Sequence, residues 1–561
     1  MGGRDGELEG VSGDWEKSDI REHRERHKRA ILTSEEQEDF EAVRGDDITV
    51  KSYKVESRIT SRFAHTTVRS SVVNSGSKAQ SIGFNVQIPK RAFITNFTMA
   101  NSQDMETFKT EVHVPPGSNI EFELHYQEMM YRKLGFYEHS LYLQPGRLVP
   151  QFQVDVYIFE PKGISTVQTP NSLGEQFAGM IKVTSSKEKA HVVFKPNIQQ
   201  QRKCDNCTGS AIDGVFTVMY DVTRDSNAGE LQVSDGHFVQ FFAPSNLSPL
   251  PKNIVVIDFN HNVRCWSEEL VPGSSIQIAD AKKYIQNIKP NGAVQMLLRA
   301  SSQGLIDPRS VSMIILVSDG DPTVGEIKLS TIQKNVKRVM REEFSLFSLG
   351  IGFDVDYDFL ERIAMENRGM AQRIYANHDA AEQLRTFYSQ VSSPLLRRIA
   401  IQFPEDSVSD VTQNRFDKFF SGSELVVAGK ARLDITLETE GDHTELDTEL
   451  AKQQHSFTGF ARQMWAYITI KQLFSERSQA PTAAKKRKIT QRIMSLAVEH
   501  QFVTPLTALL VESEDAKERL VCRSRNRRKP QWCDSGACGL PASTLGPDDH
   551  YGPPKSGCEG P

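Results

Sequence analysis

Val311-Ser-Met-Ile-Ile-Leu-Val-Ser-Asp-Gly-Asp-Pro322 decides the reading of this 561-residue chain. Five of the six residues from Met313 to Ser318 are apolar, which suits a strand covered on both faces of a parallel sheet. The run ends in Ser318-Asp319-Gly320-Asp321. A carboxylate at the carboxyl end of such a strand stands in the crevice where open α/β sheets bind ligands, so Asp319 is aimed at a ligand or a metal. A strand followed by a plain polar turn is the other reading, since Gly and Pro give that too.

Outward from this stretch, Ile327 to Arg341 reads as a helix, with Ile327, Leu329, Ile332, Val336 and Val339 among Lys, Arg and Glu. Phe344 to Gly352 reads as the next buried strand. Asp354 to Arg368 reads as a further helix, with Gly369 suited to its C-cap. That rhythm means right-handed βαβ units and a parallel sheet. The Asp-Gly-Asp-Pro loop and Ser348-Leu-Gly-Ile-Gly-Phe-Asp-Val-Asp-Tyr-Asp-Phe-Leu360 resemble a von Willebrand type A domain, and more closely that of the inter-alpha-trypsin inhibitor heavy chains. Val55-Glu-Ser-Arg-Ile-Thr-Ser-Arg-Phe-Ala-His65 and Val86-Gln-Ile-Pro-Lys-Arg-Ala-Phe-Ile94 resemble that family's amino-terminal β domain, the VIT domain. Val154 to Gly163 and Phe241 to Leu247 resemble the segment joining the two, and the similarity runs from about Ala30 to about Glu518.

The expected fold is multidomain, α/β plus β. A propeptide-like arm (1–29) precedes a VIT-like β domain (45–148, internally shortened) and a β-rich connecting segment (149–250). A shortened, doubly wound von Willebrand A-like domain (251–394) comes next, then a mixed β and helical region (395–520) and a disordered tail (521–561). In the mixed region Phe457 to Glu476 and Ala483 to His500 read as helices, the second with Ile489, Ile493, Leu496 and Ala497 on one face. The net charge of −5 argues against generic nucleic-acid binding. No apolar run approaches the ~20 residues of a membrane span.

The resemblance implies a secreted plasma and matrix protein. Such a heavy chain assembles with bikunin and other heavy chains through chondroitin sulfate, associates with hyaluronan, and is linked to serine protease inhibition through bikunin. The alternative is a metal-dependent adhesion module of the A-domain type. A non-secreted product without activity is a third reading. Arg26-His-Lys-Arg29 looks like a furin-type site where the family removes a propeptide, so the mature chain begins at Ala30; a solvated charge run is the plain alternative. Met1 to Glu41 lacks the apolar run of a signal peptide, which suggests a sequence that starts inside the true gene. Asn96, Asn206 and Asn246 head glycosylation sequons. Cys204-Asp-Asn-Cys207 precedes a β-like run and has no second pair nearby for zinc, so it reads as a short structural disulfide, and the family has a Cys pair here. Cys265, Cys522, Cys533, Cys538 and Cys558 are left unassigned.

Metal chemistry is where this chain departs from the pattern. An A-domain site takes oxygen ligands, as Mg²⁺ prefers. The family supplies them from Asp-x-Ser-x-Ser after the first strand, a Thr from a second loop, and the Asp of the Ser-Asp-Gly-Asp loop. Only Asp319 remains. Pro251 to Ile254 runs directly into Val255-Val-Ile-Asp-Phe-Asn260, where the family places strand one, its loop and a helix between. Asn291-Gly-Ala-Val294 stands where the Thr loop belongs. Asp258, Asn260 and Asn262 offer a polar imitation of the lost loop, but the resemblance assigns Asp258 to the second strand. No cofactor is expected, and Mg²⁺ binding is expected to be weak or nil. Removing a central strand is also expected to uncover its neighbours. No Gly-x-Ser-x-Gly, His-Glu-x-x-His or phosphate-binding loop is present, so no enzyme is expected.

Overall fold

The computed structural model describes residues 48–96, 105–224, 229–250, 311–322, 326–340, 344–352, 355–375, 379–431, 459–510 and 519–522, with short stretches at 253–254, 257–259, 263–267 and 271–286. The chain divides into two compact units: residues 1–49, 72–81 and 113–120, and residues 50–71, 82–112 and 121–561. In the smaller unit one fully buried residue joins two turns. Asn74 donates from Nδ2 to the carbonyls of Lys78 and Val114 at 2.8 and 2.9 Å, and its Oδ1 accepts from Gly76 N. A buried amide with its capacity filled in this way fixes loops that have little apolar surface of their own.

In the larger unit, alternating strands such as Gln151–Phe159, with Phe152, Val154, Val156 and Ile158 turned inward, build a seven-stranded sheet. Its order is Ile181–Ser185, Lys189–Phe194, Gln151–Phe159, Ile48–Thr60, Phe63–Asn74, Asn119–Met129, Phe93–Asn96. Ile48–Thr60 and Gln151–Phe159 run parallel, from Ser52 opposite Gln151 to Thr60 opposite Phe159. A second sheet pairs Ile164–Gln168, Gly214–Val222, Phe136–Leu143 and Arg132–Lys133. Strands from both sides of position 148 therefore share both sheets. The segment 149–250 supplies partners that the VIT-like strands need, because their backbone groups would otherwise lack a ladder.

Glu230–Ser234 and His237–Phe242 form a third sheet with Leu425–Ala431 and Val408–Ser409. The helices Phe460–Ser478 and Ala483–Glu499 pack on it. Their core includes Met464, Trp465, Tyr467, Ile489, Ile493, Leu496 and Ala497, together with Phe63, Phe93, Val239, Phe241 and Ala428. The predicted apolar face of the second helix is the buried one.

The A-like part is a parallel sheet of Met313–Ser318, Ser345–Ile351 and Ala371–Ile374. Ile314, Leu316 and Leu346 pack against the helices Leu329–Met340 and Tyr357–Glu366 on one face. Met313, Phe347 and Leu349 pack against Ala380–Val391 on the other. Ser345 to Gly350 are all buried, but Ile315 and Val317 remain 37% and 47% exposed. Among the described residues Met313–Ser318 bonds only to Ser345–Ile351.

Gly369 does not end its helix in the way the sequence suggests. The C-cap is Asn367, and the left-handed residue is Arg368 (φ 58°). Gly369 is needed for proximity instead: a Cβ there would stand 1.8 Å from Leu346 O. Gly369→Ala is expected to cost roughly 3 kcal/mol or more, because helix end and central strand must part; urea unfolding monitored by circular dichroism measures this.

Candidate functional site

At the predicted crevice the chain turns sharply after Ser318. Gly320 has φ 82° and is buried, and a Cβ there would meet Asp356 O at 2.9 Å. Gly320 N donates to Ser318 Oγ (3.0 Å) and Asp321 N to Asp319 Oδ1 (3.2 Å). Asp356 N donates to Asp319 O (2.9 Å), and the Asp356 carboxylate caps the next helix through Phe359 N. The Asp319 side chain is exposed and serves its own turn. Among the described residues no three His, Cys, Asp or Glu side chains converge in a way that holds a metal. Asp258 lies in the short strand Ile257–Phe259, opposite Arg264. Asn260, Asn262 and Asn291 fall outside the described residues. Of the expected ligand positions, the described residues place Asp319 and Asp258 only.

The other expected residues are scattered. Cys204 and Cys207 are joined in a disulfide, with exposed Asn206 in the same turn. Asn96 ends the strand Phe93–Asn96. Asn246 is exposed in the loop after His237–Phe242. Arg29 and Ala30 lie outside the described residues.

The densest chemistry is one that sequence reading missed. Ser61 and Arg62 form a two-residue turn between Ile48–Thr60 and Phe63–Asn74, both with positive φ (49° and 65°). Hairpins favour such turns, but usually with Asn or Gly. Side-chain and backbone bonds hold Arg62 there. Its N–H donates to Glu160 Oε1 (3.0 Å), and its carbonyl accepts from Met130 N (2.7 Å). The guanidinium, 2% exposed, bonds Glu160 Oε2 at 3.0 Å, lies 2.8 Å from Glu230 and 3.8 Å from Glu424, and stacks 4.2 Å from the Phe241 ring centroid. Tyr220 OH donates to Glu160 Oε1 (2.9 Å), and Arg224 donates to Tyr137 OH (2.9 Å) and Asp221.

Three buried carboxylates surround one buried cation here, so ionisation is contested. Burial raises the Glu160 carboxyl to about 7 against the downward pull of Arg62. Burial also raises Glu424, again opposed by Arg62. For Arg62 burial opposes the charge, but Glu160, Glu424 and Glu230 more than compensate and lift it well above its usual value. Its carboxylate partners come from positions 160, 230 and 424, and nothing in local periodicity points to them.

A second buried chain resembles hydrolase machinery. Ser57 Oγ lies 2.8 Å from His139 Nε2, and His139 Nδ1 lies 3.2 Å from Glu128 Oε1. The order is that of a Ser-His-acid relay, but His139 Nδ1 and Glu128 Oε1 make no hydrogen bond. All three residues have no exposed surface, and Ser57 also bonds Thr66 Oγ1 at 2.9 Å. Ser57 lies out of reach of solvent, and its bond to His139 links the two sheets.

Comparison with known proteins agrees with this architecture. The model of the vault protein inter-alpha-trypsin (VIT) domain matches residues 50–103, and that of the von Willebrand factor type A domain matches residues 241–390. Inter-alpha-trypsin inhibitor heavy chain H2 of Mus musculus is 45% identical over 611 positions, covering 91% of this chain. The chain carries the VIT and von Willebrand factor type A domains and is similar to inter-alpha-trypsin inhibitor heavy chains along nine tenths of its length. The Homo sapiens H2 chain is likewise 45% identical, over 87% of this chain. The chain spans 64% of the mouse relative and 62% of the human one, less than two thirds of either. The mouse match extends over 611 positions, more than the 561 residues present here, so the relative carries internal segments without counterpart in this chain. A solved structure, the von Willebrand factor type A protein from Catenulispora acidiphila, aligns with 56% of this chain and 96% of its own at 15% identity and a TM-score of 0.30; so loose a superposition adds nothing to the assignment.

Two outcomes are expected. Arg62→Met should cost about 3–5 kcal/mol, since it leaves buried carboxylates without their cation. Glu160 holds a proton in the folded chain between its ordinary 4.5 and about 7 that the unfolded chain releases, so its contribution to stability falls as pH rises through that window. His65 and His500, lowered to about 4 mainly by burial, act in the opposite sense. The difference between the parent and Glu160→Gln in urea unfolding from pH 5 to 8 therefore isolates the slope; a flat difference would refute it.

Proposed function

We propose that this chain is a secreted, extracellular heavy chain of an inter-alpha-trypsin inhibitor-type complex, a non-enzymatic carrier that associates with bikunin, other heavy chains and hyaluronan. The observation that carries this reading is the 45% identity to H2 heavy chains over nine tenths of the chain, through both domains and the segments that join them. Processing after Arg29 to begin at Ala30 belongs to the same reading, as do glycans on Asn96 and Asn246. Protease inhibition falls to the partner. The exposed run Lys485-Lys-Arg-Lys488 at the start of the helix Ala483–Glu499 offers an anionic polysaccharide a cluster of cations.

The test is expression behind a secretion leader together with bikunin. The expected result is a chain in the medium whose amino terminus is Ala30 and which co-purifies with bikunin and is retained on immobilised hyaluronan. A chain in the medium that binds neither would sink the proposal.

Metal-dependent adhesion finds no support in the crevice, where Asp319 serves its own turn. Calorimetric titration with Mg²⁺ is expected to give no sub-millimolar constant. A tight constant that is lost in Asp319→Ala would restore the adhesion reading.

A further inference from the structure

The loop 203–209 leaves the body of the protein through a neck that the backbone closes by itself. Arg202 and Ser210 face each other in an antiparallel bridge, and Ala211 N donates to Gln201 O at 2.6 Å. Gln201 is fully buried: its amide donates to the carbonyls of Val149 (2.9 Å) and Pro196 (3.1 Å), and its Oε1 accepts from Val149 N (3.0 Å). At the tip Cys204 is exposed and Cys207 half-buried, with their sulfurs bonded to each other. Cys207 N donates to Cys204 O at 3.0 Å, and Arg202 Nη1 donates to Cys207 O at 2.6 Å. A cross-link spanning so few residues restrains the unfolded chain least. Here it closes a loop whose ends are already fixed.

We propose that Cys204–Cys207 is a thiol-exchange site, with a low-molecular-weight dithiol as its co-reactant. A thiolate of the dithiol attacks the exposed Cys204 sulfur. A new S–S bond forms there, the Cys204–Cys207 bond breaks, and Cys207 leaves as a thiolate in a segment that carries the cations Arg202 and Lys203. The second thiolate of the dithiol then attacks its own sulfur in the mixed disulfide and releases Cys204 as a thiolate. Two electrons have passed to the cysteine pair, the reagent has become its cyclic disulfide, and both cysteine thiolates take protons from solvent. The Cys207 N–H bond to Cys204 O and the Arg202 bond to Cys207 O do not involve sulfur. They keep the two thiols together, so oxidation restores the bond within the same loop.

Dithiothreitol on the folded full-length chain, followed by iodoacetamide and peptide mass spectrometry, tests this. Cys204 and Cys207 should become alkylated while circular dichroism stays native. The Cys204→Ser/Cys207→Ser double variant should melt within about 3 °C of the parent. A pair that yields to reductant only once the chain unfolds would overturn the proposal, and so would a larger fall in the melting midpoint.

Discussion

The larger unit is organised around one buried guanidinium. Arg62 sits at a turn that an arginine rarely occupies, and it is held there because its backbone and its side chain both meet Glu160. The strain of a left-handed residue persists only where the surroundings over-determine it. The surroundings here come from the end of one sheet strand, from the hairpin after position 229 and from the strand that succeeds the A-like part. A residue in the first hairpin of the VIT domain thus fixes where the chain returns after more than 350 intervening residues, since Glu424 stands beside it.

Such a centre gives little net stabilisation, because taking these charges out of water offsets most of their attraction. It confers specificity. A carboxylate out of place would be left unpaired in the interior, and alternatives to the observed packing are penalised by that cost. The Phe241 ring over the guanidinium and the Trp465 helix behind the same sheet add the apolar burial that favours folding. Ser57, His139 and Glu128 form another buried polar cluster, in which Ser57 bonds His139 and Thr66 while His139 Nδ1 and Glu128 Oε1 make no hydrogen bond.

The described strands of the A-like part keep their helices on both faces, and Asp319 keeps its place at the carboxyl end of a strand. The strand that carries it is an edge among the described residues, with Ile315 and Val317 showing to solvent. The Asp319 carboxylate accepts a hydrogen bond from Asp321 N in its own turn.

Local pattern was enough for much of this chain. Helical spacing marked the buried face of Ala483–Glu499, and the run from Met313 to Ser318 announced a parallel sheet, because side-chain periodicity is a property of consecutive residues. Motif length carried the resemblance to the heavy chains. Sequence could not show that segment 149–250 completes the VIT-like sheets, that Gly369 is required by Leu346 O and not by its own φ, or that Arg62 would gather Glu160, Glu230 and Glu424. Those facts depend on which distant groups are brought within a few ångströms. Only the folded chain decides that, since charge pairing and close backbone approach act through space and leave no periodic trace along the sequence.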